Sequence, residues 1–76
     1  MKLAPEALAD GLAALGIPSA LHDFYTRLVQ GELKRLDGDE AVFLVINAKG
    51  HYLTSLATPS IEGETPCLVI EIGGRP

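Results

Sequence analysis

Cys67, His51 and His22 are the only residues of this 76-residue sequence that offer a thiol nucleophile and an imidazole base. Cys67 follows Pro66 at the start of the apolar run "CLVIEI", with no glycine-rich elbow and no helix start beside it to activate the thiol. His51 sits beside the turn "NAKG", where polar residues are common, and His22 stands next to Asp23 on a segment of helical period. An inert, buried thiol is the reading these surroundings favour. No catalytic residue is assigned.

The carboxylates are no more suggestive. "LDGDE" places Asp37, Asp39 and Glu40 around a glycine, but a calcium loop needs ligands spread over about twelve residues and a closing bidentate glutamate. Here an apolar strand follows at once, so a solvated turn is expected. Glu62 and Glu64 flank Gly63 on a loop, with nothing to make their environments unequal, as acid–base work requires. No metal and no cofactor are expected.

The tail "EIGGRP" places Gly73–Gly74 after a final strand. That diglycine resembles the C-terminus of ubiquitin-like proteins and sulfur carriers, and the resemblance implies an activated glycine carboxylate once Arg75 and Pro76 are removed. It covers two glycines only. The β-grasp fold opens with a hairpin, whereas this chain opens with helices, and diglycine is also ordinary punctuation after a strand.

Composition narrows the classes further. Ten carboxylates against six Lys and Arg give a net charge of −4, which a phosphate backbone repels. Only Lys34 and Arg35 adjoin, so there is no basic patch and nucleic-acid binding is not expected. No apolar run is long enough to span a bilayer, and Glu6 and Asp10 interrupt what would be the core of a signal peptide. One unpaired cysteine fits a reducing compartment, so a cytoplasmic location is expected.

The elements follow from periodicity. Pro5 to Leu15 reads as a helix with Leu8, Leu12 and Leu15 in a stripe, Ala4, Ala7 and Gly11 keeping that side narrow, and Gly16 as its cap. A second helix opens at Pro18 or Ser19 with an apolar face of Leu21, Phe24, Tyr25, Leu28 and Val29. It is read as running on to a last turn of Lys34 and Arg35 closed by Gly38. The competing reading makes Gly31 to Leu36 an edge strand. Ala41 onward is β: a strand to Ile46, a type I turn at "NAKG", a returning strand from Tyr52 to Thr58, a loop from Thr58 to Pro66 and a final strand from Cys67 to Ile72. The expected fold is a single α+β domain, residues 1–76, with a flexible tail at 72–76. Its two N-terminal helices pack on one face of a three-stranded antiparallel sheet, four-stranded if Gly31 to Leu36 joins it.

A domain of this length buries only roughly 60% of its unfolded surface, so stabilisation from a partner is expected. The run Ala41 to Ile46 is apolar on both strand faces, the signature of burial on both sides. Two helices cover one face. The other needs a fourth strand, a loop plugged by Ile61, or a second molecule. The sequence therefore points to a contact face of Val42, Leu44 and Ile46 with Tyr52 beside them. A second surface lies on helix two, including Tyr25 and Arg27 with His22, Asp23 and Gln30. The expected function is a non-enzymatic protein–protein interaction or assembly module, homo-oligomeric or an accessory subunit, of the size class of phage virion components and small inhibitor proteins. The rival class is a small carrier or thiol enzyme acting through a processed diglycine or Cys67.

Overall fold

The computed structural model describes residues 2–57 and 66–74. Strand β1, Lys2–Leu3, leads into a 3-10 turn at Pro5–Ala7 and helix α1, Leu8–Ala14. Proline at the start of that turn costs no hydrogen bond, and Gly16 ends the helix by donating its N–H to the Ala13 carbonyl. A second 3-10 turn, Ser19–Leu21, opens helix α2, His22–Arg35. Strands β2 (Ala41–Asn47), β3 (Tyr52–Ser55) and β4 (Cys67–Gly73) complete the fold.

The α+β architecture is as expected: two helices against an antiparallel β3–β2–β4 sheet. Residues 31–35 are helical, so the longer α2 holds. Its end differs in detail. Leu36 is extended, and Gly38 belongs to a separate turn closed by Glu40 N–H to Asp37 O, with Asp37 N–H donating to the Glu40 carboxylate. A fourth strand is present elsewhere. Lys2–Leu3 pairs parallel with Val69 and Ile70, and two residues are too few to show a period in sequence.

Helix α2 keeps Gly31 at an exposed position with open space around it. The cost of an unsubstituted backbone is therefore carried for no packing reason, and Gly31→Ala is expected to stabilise the domain by about 0.5–1 kcal/mol. That corresponds to a rise of roughly 4 °C in the midpoint of a thermal melt.

Register decides which sheet face the helices cover. Leu44 lies opposite Ile70, Val42 opposite Ile72 and Ile46 opposite Leu68, so these six share one face. Leu8 and Leu12 of α1, Ile17, and Tyr25 and Val29 of α2 pack on that face as one core. Gly11 lets α1 approach closely, since a Cβ there would lie 2.5 Å from Leu68 Cδ1. Val42, Leu44 and Ile46, expected on the open face, are thus under the helices and at most 4% exposed. The reason is that every even position of β4 from 68 to 72 is aliphatic, whereas the odd positions include Glu71.

The opposite face carries Ala41, Phe43 and Val45 with Cys67, Val69 and Glu71. Phe43 and Val69 are themselves buried. The expected plug, Ile61, lies outside the described residues.

Candidate functional site: the α2–β3 ridge

The sequence-predicted residues are not all brought together. Tyr25 is buried, because it lies one turn before Val29 on the inward stripe of α2. Its hydroxyl donates to the Gly50 carbonyl at 2.5 Å and so ties α2 to the β2–β3 hairpin. Arg27 is exposed and held by Asp23 one turn back at 2.9 Å, a surface pair worth about 0.3–0.5 kcal/mol. Tyr52 is half-exposed at the start of β3.

The hairpin that positions Tyr52 is the expected turn. Gly50 N–H donates to Asn47 O at 2.9 Å, while the Asn47 side-chain oxygen accepts from the Lys49 and His51 amides. Gly50 has φ +86°, where a Cβ would both be strained and lie 3.2 Å from the Tyr25 hydroxyl.

What the hairpin and α2 build together is an aromatic ridge. Phe24 stands edge-on to Tyr25 and to Tyr52, with ring centroids 5.1 Å and 5.7 Å apart, and Tyr25 and Tyr52 are 6.2 Å apart. Such edge-to-face pairs are worth about 0.5–1.5 kcal/mol each beyond area burial. Phe24 is about 100° around the helix from Tyr25, so it overhangs the edge of the core instead of entering it. Leu21, one turn earlier, continues the ridge. Leu21, Phe24 and Tyr52 remain 46%, 49% and 45% exposed; Leu53, on the opposite face of the sheet with Val45, and Leu56 are 56% and 85% exposed. The sequence reading puts Leu21 and Phe24 on the helix's apolar face together with Tyr25, Leu28 and Val29. The available signal was width: positions 21, 24, 25, 28 and 29 span a broader arc than one inward stripe holds.

The groups with chemical potential are kept apart. His22 uses Nε2 to donate to the Ile17 carbonyl at 2.9 Å, on the helix side of the sheet. Cys67 is half-buried and lies opposite Asn47 on the other side. Asn47 in turn bonds His51 O, so Cys67 and His51 are two strand spacings apart, about 10 Å. An open groove of about 370 Å³ is lined by Asn47, Ala48, Lys49, His51 and Pro66. Among the described residues no group of three His, Cys, Asp or Glu is placed to hold a metal. No helix there is long and apolar enough to cross a membrane. Arg35 is held above its ordinary pKa by its hydrogen bond to Glu32 and by that carboxylate's charge, so it stays cationic at every accessible pH. Gly74 N–H donates to Glu40 O, and Ile72 is wholly buried, so the chain is fixed two residues beyond the point where a flexible tail was expected to begin.

No protein-family model, curated protein or solved structure matches this chain.

Proposed function

We propose that the chain is a non-enzymatic protein–protein contact module that works through the α2–β3 ridge. The observation that carries this reading is the contact of Phe24 on α2 with Tyr52 on β3, ring centroids 5.7 Å apart, with Leu21 of the preceding 3-10 turn three residues before Phe24, each about half exposed in a domain of 76 residues. Contiguous exposed apolar surface rimmed by charge marks association sites, and Asp23 and Arg27 supply that rim. Aromatic anchors of this type carry most of the energy of a protein interface. The surface moves from the sheet face first expected to the edge of the helix layer, and the function class stays the same.

Light scattering across a dilution series tests it. The expected result is an assembly that persists at low micromolar concentration and loses mass when Leu21→Ser and Phe24→Ser are combined, with the thermal melt still cooperative at a lower midpoint. A strict monomer that still binds a hydrophobic dye through this ridge is a module awaiting a foreign partner. A strict monomer that binds no dye contradicts the reading.

A further inference from the structure

The geometry points to one occupant for this surface: a second copy of the chain, joined through the free edge of β3 in an antiparallel pair about a two-fold axis. The inference rests on the ridge being a contact surface and adds the partner and the mode of pairing.

Among the described residues β3 is the outer strand of the sheet, with β2 on one side only. The Asn47 amide donates to His51 O. Bonded and non-bonded pairs alternate along an antiparallel ladder, so Leu53 faces Val45 as a bonded pair, while Tyr52 and Thr54 turn their N–H and C=O groups outward. Edge strands are normally blunted by lysine, proline or a bulge. "YLTS" carries none of these within the strand.

Self-pairing satisfies the edge in one register. With Leu53 opposite its own copy, the outward groups of Tyr52 meet those of Thr54 in the other chain, and the reverse. Leu53 then packs beside Leu53 on one face. On the other face, Tyr52 and Phe24 from each copy cover the junction.

Charge selects the antiparallel direction. Lys49 lies at the hairpin end of β3, and Asp37 and Glu40, with Arg35 acting on Glu40, at the opposite end of the sheet before β2. A dyad turns the Lys49 end of each copy towards the Asp37 and Glu40 end of the other. A parallel pairing would set like charges together.

Leu21, Phe24, Tyr52, Leu53 and Leu56, at their observed exposures, offer at most on the order of 500 Å² per copy, or about 1,000 Å² for two, so the pairing reaches the lower limit of a specific interface when all five are covered.

Amide hydrogen exchange on the intact protein, dilute and concentrated, tests the pairing. Unbonded edge amides exchange without any opening of the fold, so only direct cover slows them. Tyr52 and Thr54 amides are expected to slow by at least about tenfold in the concentrated sample. Leu53→Lys, which sets two ammonium groups against each other on the dyad, is expected to restore fast exchange and a monomer mass with the fold retained. Assembly without slowing at Tyr52 and Thr54, or assembly that survives Leu53→Lys, overturns the edge pairing while leaving the ridge as a contact surface. A monomer at every concentration overturns the second copy as occupant, and dye binding then decides the ridge by itself.

Discussion

Leu44→Lys is expected to abolish the folded state. Leu44 is fully buried at the centre of β2, opposite Thr54 on one side and Ile70 on the other, beneath the helices. Truncating such a leucine costs about 2–5 kcal/mol, and an ammonium in the same place adds the cost of an unpaired buried charge. A domain of this length has roughly 4–11 kcal/mol in total. Circular dichroism should therefore show no cooperative thermal transition. Phe24→Lys, on the exposed ridge, gives up two edge-to-face contacts, so its melt should stay cooperative with a midpoint lowered by roughly 5–15 °C. The contrast separates the two candidate faces. A folded Leu44→Lys protein with an altered mass would return the contact surface to the sheet face of Val42, Leu44 and Ile46.

The second large effect is expected at the end of β4. Gly73 has φ +82°, and a Cβ there would lie 2.6 Å from the Glu40 carbonyl oxygen and 2.7 Å from Leu36 Cδ1. The same carbonyl accepts the Gly74 N–H at 2.7 Å. Gly73→Ala therefore combines a left-handed backbone with a clash against main chain that cannot swing aside, and a loss of about 2–3 kcal/mol is expected. Gly74→Ala meets nothing closer than Ala41 Cβ at 3.4 Å, so only the conformational cost of about 1–2 kcal/mol applies. Urea midpoints of the two variants measure the difference. Equal effects would mean that the contact with Glu40 and Leu36 carries no energy. The diglycine thus has a structural use in tying β4 to the turn before β2.

These two results bear on what the sequence discloses. Helix and strand periods and the Asn47–Gly50 turn are legible, because each rests on local chemistry, whereas Gly31 to Leu36 offers both a helix end and an edge strand and only the fold decides between them. The parity of β2 is not legible from β2 itself, since Ala41, Phe43 and Val45 are as apolar as Val42, Leu44 and Ile46. The deciding information sits in β4, where Glu71 interrupts one face and Leu68, Ile70 and Ile72 leave the other unbroken. It reaches β2 only through the register Leu44↔Ile70. Phe24 and Tyr25 pose the same problem on α2. Adjacent aromatics cannot both point inward, and Tyr25 wins because Val29 lies one turn beyond it and Gly50 receives its hydroxyl. Strand β1 is set by parallel pairing with Val69 and Ile70, a tertiary event with no local trace.

Two ion pairs among the described residues, Arg27 with Asp23 and Arg35 with Glu32, sit within α2, and both arginines are largely exposed. No buried side-chain polar atom among the described residues lacks a partner. Stability therefore rests on the core between the helices and the even positions of β2 and β4. The ridge adds only its edge-to-face aromatic contacts to that core.

The central claim is that contact is made at Phe24 and Tyr52 and not elsewhere on α2. A photoreactive benzophenone side chain in place of Phe24 tests it most directly, with the same group in place of Lys34, exposed and about 15 Å further along the helix, as control. On irradiation of the purified protein, the account predicts a covalent dimer from position 24 and none from position 34. Adducts from position 34 alone, or none from position 24 either in the purified protein or in an extract of the source cells, would contradict it.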